Sequence, residues 1–526
     1  MEDSDLKGLL SLPNEILLSI LGSLNLTDLL KCRLISSRFD SVIRSDASFQ
    51  YAIELRGAGY EEIRASGRDL SERMATLRGK EDKWKNPNLH VAGHVDSPTA
   101  VTIPSNNIFH RVTIVNGAMV TLGYHTATDP QCGKALELLD FEILATTCTV
   151  VPKVLRFDFP FMTFHIDPIE DLLVLAAPDP GAHFPNKFYF RSLNTGKPHP
   201  RTRQPEIEIP LLPFAVTFDD LLGGIKTFGD LLAIRVRTST LGSQHGTYHL
   251  YHWPSGRLIR TWSESPLSDT FQAGIILVND GYVLLLVSQF QPVALQMVEV
   301  YATRPSSNGG FFNIDLVAKF ILPPLTHHGL YLLQGESVGF SGMSSTVKPI
   351  PHILVHLTID FRLRMFTPLS TFLNSQVRSH PVGASPRIFL WSEWGPKNTR
   401  FVPYELRSPP PVVIGLRVIL SGSSDWYTIW DFSPRRRQEH ISGPGSKRLA
   451  FSVHMPSDVV EASETLAFAE DVEATLPCLV DAIKLPASRL SVNAGAYYIW
   501  VDTMDGPKVL KMEYEEGIRR FDVISF

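Results

Sequence analysis

From Leu9 to Leu55 the apolar positions recur every three or four residues, the period of a helix with one face turned inward. Leu12, Ile16, Ile20 and Leu24 step by four, Leu17 and Leu21 run alongside them, and Leu18 widens the face. The pattern predicts a helix opening at Pro13, which lacks the N–H that a first turn leaves unpaired, with Glu15 near the positive helix end. Asn25 followed by Asp28 is a second start signal, ahead of Leu26, Leu29 and Leu30. Leu34, Ile35, Phe39, Val42 and Ile43 make a third segment. So short a chain cannot bury this much Leu and Ile by itself, so the pattern predicts a small helical module that needs a partner surface.

The glycines Gly57, Gly59 and Gly67 then interrupt the period. Ser71 reads as an N-cap with Glu72 in the first turn, and Leu70, Met74, Leu77 and Trp84 share one face of a helix ending near Asn86-Pro87. Between Gly93 and Pro104 the helical period gives way to Val, Ile, Thr, Phe and Tyr runs punctuated by Gly, Pro, Asn and Asp. The expected division is a helical domain at 9–55, a linker with a helix at 56–95 and a β-rich domain at 100–526.

A theme recurs in the β-rich part. Asp171 to Leu175 is followed by Phe188 to Gly196; Gly229 to Ile234 by Tyr248 to Gly256; Asn279 to Leu285 by Met297 to Tyr301. Each unit is a turn, a buried strand, a loop and a second strand. The spacing, roughly 50 to 60 residues, falls in the range of propellers and arrays. Trp426 to Phe432 carries a Trp430-Asp431 dipeptide of the kind that ends strands in WD-type blades, and Ala496 to Met512 reads as a final hairpin. The expected fold is mainly β with a small N-terminal α domain: a helical module followed by a degenerate β-propeller of six to eight blades. A pair of β-sandwiches or another all-β array is the alternative.

The chain has 526 residues and a formal net charge of −5, which argues against a general nucleic-acid binder. Its four cysteines are scattered without a Cys-x-x-Cys pair, the pattern of reduced thiols. The acidic opening has no signal-peptide pattern, and the apolar runs are too short to span a bilayer. The expectation is a soluble protein of cytoplasm or nucleus that binds neither nucleic acid nor membrane.

The N-terminal stretch resembles an F-box. The family pattern is met by Leu12-Pro13-Asn14-Glu15-Ile16-Leu17, Ile20-Leu21 with Leu24, Asp28-Leu29-Leu30, and Leu34-Ile35-Ser36 with Phe39. It departs where the family usually has Trp near Phe39 and a Leu-Trp pair near Ser48-Phe49. The resemblance implies docking onto the Skp adaptor of a cullin–RING ubiquitin ligase, with the β-rich part holding a protein substrate and no chemistry or cofactor in the chain itself. The adaptor-facing residues it implies are Leu12, Pro13, Ile16, Leu17, Ile20, Leu21, Leu29, Leu30, Leu34 and Ile35. The turns Leu193-Asn194-Thr195-Gly196 and Trp253-Pro254-Ser255-Gly256 resemble those in the C-terminal halves of fungal F-box proteins. Two other functions compete: a scaffold whose helical hairpin docks internally or self-associates, and a propeller hydrolase or lyase with acids or histidines converging on the central channel.

Candidate chemistry elsewhere is sparse. His245, His249 and His252 lie close in sequence, but a strand would put His252 on the opposite face from the other two. His352 and His356 share a strand face without a nearby Cys or carboxylate at ligand spacing. Gly443 to Lys447 lacks the spacing of a phosphate loop. Arg435-Arg436-Arg437 is the basic cluster, and Asp458 to Glu473 is an acidic stretch without Lys or Arg. Phe157, Phe159 and Phe161 alternate on one strand face, and Pro160 places that strand at an edge or bulge.

Overall fold

The computed structural model describes residues 8–24, 26–62, 68–85, 89–98, 112–115, 118–123, 133–149, 152–178, 185–209, 224–240, 243–263, 270–278, 281–289, 295–305, 312–325, 331–334, 340–341, 347–349, 354–359, 363–403, 411–421, 426–433, 459–460, 472–485, 497–503, 506–515 and 518–525. Arg435 to Arg437, Gly443 to Lys447 and His352 lie outside them, as does most of the acidic stretch.

Among the described residues the helical module contains, after a helical turn at 8–10, four helices: α1 (Asn14–Gly22), α2 (Leu26–Ile35), α3 (Ser37–Ser45) and α4 (Ala47–Gly57). Pro13 precedes α1 as its N-cap. The stretch from Leu34 to Ile43 is two helices rather than one, because the Ser36 hydroxyl accepts the Arg38 N–H and caps α3. The fourth helix has its own cap, the Asp46 carboxylate, which accepts the N–H groups of Ser48 and Phe49. Leu17, Leu21, Leu29, Phe39, Val42 and Ile43 form the module's core. The Arg38 guanidinium ties α3 to the N-terminal turn by donating to the carbonyls of Leu10 and Leu12. A fifth helix, α5 (Leu70–Lys85), follows. Its cap is Asp69, which accepts the Glu72 N–H at 2.8 Å and the Ser71 hydroxyl at 2.8 Å; Ser71 donates rather than caps.

Among the described residues seven sheets of four or five strands follow, antiparallel except for one added parallel edge strand in each of two. Six blades take their four core strands from successive stretches of chain, residues 112–161, 163–208, 225–263, 270–321, 331–403 and 412–484. The seventh sheet is composite. Tyr497–Thr503, Gly506–Glu515 and Ile518–Ser525 are joined by His90–Pro98, which pairs with the last strand from His90↔Ser525 to Pro98↔Ile518. The β-rich domain therefore begins at His90, inside the stretch expected to be linker. The three repeated units of the sequence are the central hairpins of the second, third and fourth blades.

Apolar seams between neighbouring sheets close the ring. Leu136, Leu155 and Phe161 pack on Phe164 and Leu173, joining the first two blades. Leu139 and Leu144 pack on Leu510 and Phe521, joining the first to the seventh. Ile414, Ile419 and Ile429 pack on Trp500 and Val509, joining the sixth to the seventh. The remaining pairs of neighbours share similar clusters. Each fully buried Leu or Ile in these seams contributes about 1.5–3 kcal/mol. The alternating phenylalanines take the expected role: Phe161 is buried, Phe157 and Phe159 are half-buried, and all three sit on the outermost strand of the first blade.

His356 lies in the fifth blade, buried and stacked on Phe366 at 4.9 Å, with neither ring nitrogen hydrogen-bonded. Burial, with the nearby Arg364, pushes its pKa down to about 3 from an ordinary 6.5. Between those two values the unfolded chain takes up a proton that the folded chain refuses, so stability is full above pH 6.5 and falls as the pH drops. Going from pH 7 to pH 5 is expected to cost about 2 kcal/mol through this residue. His356→Leu should be spared that loss, as read from melting temperatures of both proteins at the two pH values. An equal drop in wild type and variant would show that His356 does not carry it.

Candidate adaptor-binding surface

The two helices that open the module each turn an apolar face to solvent. On α1 the exposed positions are Ile16 (48%) and Ile20, one turn apart, continued by Leu24 beyond its end. On α2 they are Leu30, Leu34 (89%) and Ile35 (56%). Pro13 is exposed and Leu12 half-buried beside them. Leu17, Leu21 and Leu29 point the other way, into the module's core, where they are at most 3% exposed. These three, expected among the adaptor-facing residues, are in the structure buried in the module's core. The reason is the helical period: a leucine every three to four residues fills two faces, and α3 covers only one of them.

Charged side chains brace the frame beneath this surface. Arg33 and Arg44 both pair with Asp40, at 2.8 and 2.7 Å, and hold its carboxyl below the usual carboxylate range. The Gln50 amide donates to the Ile43 carbonyl at 2.9 Å, tying α4 to α3.

The module is fastened to the propeller through α4, α5 and the short strand Tyr60–Glu62. Arg78 of α5 makes two bonds to Glu54 of α4, at 2.9 and 2.8 Å, and Arg73 makes two to Glu62, at 2.7 and 2.9 Å. Tyr60–Glu62 pairs with Val347–Pro349, part of an excursion from the fifth blade. The same excursion adds Phe340–Ser341 to the seventh blade.

The tightest contact is with the sixth blade. Trp84 of α5 is 1% exposed, stacks on Trp500 with centroids 6.5 Å apart, and belongs to the seam between the sixth and seventh blades. Arg417, also 1% exposed, donates to both carboxylate oxygens of Glu81 in α5, at 3.0 and 2.5 Å, and to Asp431 at 3.0 Å. Its guanidinium lies 5.1 Å over the Trp84 ring. Burial opposes its charge, but Glu81 and Asp431 outweigh that and keep the guanidinium protonated. Asp431 is the second residue of the Trp-Asp dipeptide, so the feature that marks a blade strand in the sequence is here part of the clasp on the helical arm.

Backbone meets backbone at the same place. Gly59 and Gly415 both have positive φ, +83° and +58°. A Cβ on Gly59 would lie 2.8 Å from the Gly415 Cα, and one on Gly415 would lie 2.8 Å from the Ala58 carbonyl oxygen. Glycine is required at both for the arm to reach the blade.

Residues 9–51 match the family model described as F-box-like. They form an F-box-like domain. No curated protein matches the chain. Among solved structures the chain is similar to the WD40 domain of SCAP from fission yeast, at 8% identity over 84% of this chain and 98% of that one, with a TM-score of 0.28. It is also similar to the β-propeller domain of Nup133 from Vanderwaltozyma polyspora, at 10% identity over 58% and 78%, TM-score 0.29. A third is Sqt1 from Saccharomyces cerevisiae, at 10% identity over 83% and 98%, TM-score 0.27.

Among the described residues of the propeller, a polar cluster with the residue types of a catalytic arrangement lies where the first strands of the second and third blades meet. His165 Nε2 is 3.0 Å from Thr227 Oγ1, and that hydroxyl lies 3.0 Å from Asp167 Oδ2. The hydroxyl has one proton and gives it to the carboxylate, so His165 must be the donor to Thr227. That order is the reverse of the one that activates a hydroxyl nucleophile, in which the histidine accepts. Asp167 Oδ1 also accepts the Ile169 and Glu170 N–H groups. The chain of bonds stitches the second blade to the third. Burial pushes the His165 pKa down to about 4.

Of the histidines singled out in the sequence, His352 and the His245 side chain lie outside what the structure describes, and His249 and His252 each have a separate partner. His249 pairs with Thr261 at 3.1 Å, and His252 with Ser255 at 2.8 Å. Among the described residues no group of three or more His, Cys, Asp or Glu side chains could hold a metal ion. No described helix is long and apolar enough to cross a membrane.

Proposed function

We propose that this chain is the substrate-recognition subunit of an SCF-type ubiquitin ligase. The F-box-like domain takes the Skp adaptor and, through it, the cullin–RING core, while the propeller holds a protein substrate. The observation that carries the reading is the outward apolar face of α1 and α2. Large aliphatic side chains stay exposed there although the module is already docked on the propeller through its opposite end. Large apolar side chains left exposed at helical spacing mark a protein interaction site, and an amphipathic helix laid in a groove is a common way to use it. An internally docked hairpin would have covered Ile16, Ile20, Leu30, Leu34 and Ile35, so their exposure speaks against internal docking. In this role the chain positions two proteins and carries no reaction of its own.

Mixed with purified Skp adaptor and a cullin–RING pair, the full chain is expected to elute in one complex on size-exclusion chromatography, and to stay apart when the adaptor is omitted. A chain that elutes alone with all components present would contradict the reading.

A further inference from the structure

Between the last two strands of the fifth blade the chain makes a long excursion, residues 369–399, back to the fourth blade. There Arg387–Phe389 adds a fifth strand, parallel to Phe312–Ile321. The excursion is firmly anchored. Phe389 stacks on Phe320 at 4.6 Å with an interplanar angle of 13°. The Trp394 indole donates to the Ile321 carbonyl at 3.0 Å, and the Glu393 carboxylate accepts the Leu390 N–H at 2.9 Å. Arg304 donates to the His380 carbonyl at 2.9 Å.

The outward side is apolar. Ile388 alternates with Phe389 and is 61% exposed; Val382 is 68% and Leu390 54% exposed. The strand ends its sheet, and no described strand pairs with its outer edge. Edges are normally guarded by charge, because an open edge with aliphatic side chains invites another strand. The charge here selects what kind. Arg378, Arg387 and Lys397 are exposed, Arg378 donating to the Leu373 carbonyl at 3.0 Å and Arg387 to the Gln376 side chain at 3.1 Å; against these three cations the excursion has one acid, Glu393, which accepts the Leu390 N–H. A chain of net charge −5 thus presents a basic rim around an apolar edge.

We propose that this edge docks an extended segment of the protein substrate, aliphatic at alternate positions and acidic between them, which adds as a further strand beside Arg387–Phe389. Backbone bonds would give the affinity, Ile388 and Leu390 the apolar contact, and Arg387 the preference for acid. The inference rests on the substrate-receptor reading and names the substrate class for it.

The test uses the full chain and short fluorescein-labelled peptides that alternate valine with glutamate or valine with lysine. Fluorescence anisotropy is expected to show binding of the glutamate peptide, roughly tenfold or more above the lysine peptide. N-methylation along one edge of the glutamate peptide should abolish binding. Ile388→Glu, at an exposed position that leaves folding intact, should weaken it roughly tenfold. Arg387→Glu should turn the preference toward lysine. Equal binding of both peptides, binding that survives methylation, or no binding of either overturns the docking site. Adaptor binding is measured on the same preparation: its loss would count against the receptor reading, whereas its retention without peptide binding removes only this inference.

Discussion

Arg417→Ala is expected to destabilise the full chain by about 3–5 kcal/mol, the usual cost of breaking a buried ion pair from one side. Asp431 is fully buried and would lose its counter-ion while still accepting the Ser433 N–H. Glu81 would lose both of its bonds to the sixth blade. Trp84 would lose the cation over its ring, so the end of α5 would loosen along with the pair. Arg417→Lys should recover only part of the loss, because one ammonium cannot bond two carboxylates in the planar fork that a guanidinium provides. The measurement is denaturant unfolding, combined with limited proteolysis between residues 57 and 85. The variant should be cut there faster than wild type. Unchanged unfolding and unchanged cutting would show that the clasp does not hold the arm.

The second large effect is expected at the seam where the ring closes. Arg519 of the last strand pairs with Glu137 of the first blade, and both are fully buried. Lys508 reaches across the same seam to the Ala145 carbonyl at 2.7 Å. Glu137→Ala leaves a buried guanidinium without its carboxylate and should cost about 3–5 kcal/mol. The double variant Glu137→Leu, Arg519→Met removes both charges and fills the space with apolar atoms. It should be clearly more stable than Glu137→Ala, because the desolvation cost of both charges disappears with them. Melting temperatures of the three proteins decide it. A double variant no more stable than Glu137→Ala would mean that packing, not the unpaired charge, sets the cost.

The helical module and the blade hairpins were legible in the sequence because both rest on short-range periods. Leucines at steps of four mark α1, and a left-handed turn followed by a buried run marks the second strand of a blade at Asp171, Gly229 and Gly281. What joins these pieces was not legible. His90–Pro98 looks like linker because its partner, Ile518–Ser525, lies at the far end of the chain, and no local pattern points that far. Arg417 looks like an ordinary strand residue until Glu81 is brought to it by the fold. The apolar positions of α1 and α2 were legible as a set but not as a side. The period shows that leucines fill α1 and α2 on more than one face, and only the packing of α3 shows that Leu17, Leu21 and Leu29 are the inward ones. Asp46 was a readable sign of the fourth helix, as an N-cap ahead of Tyr51 and Leu55.

The clasp also determines how the F-box-like domain should be probed. Deleting the first 88 residues would strip Trp84 and Glu81 from the propeller and open the seam between the sixth and seventh blades, so loss of binding in such a fragment would mix two causes. Leu17→Glu has the same defect, since it places a charge inside the module's core. Single changes on the outward face do not.

The most direct measurement is calorimetric titration of purified Skp adaptor into the full chain and into Ile20→Glu. Wild type should bind one adaptor per chain. The variant should melt like wild type and bind at least ~100-fold more weakly, because an unpaired charge buried in such a contact costs several kcal/mol. Equal affinity in the two proteins, or no heat of binding in wild type, would contradict the assignment of α1 and α2 as the adaptor-binding surface.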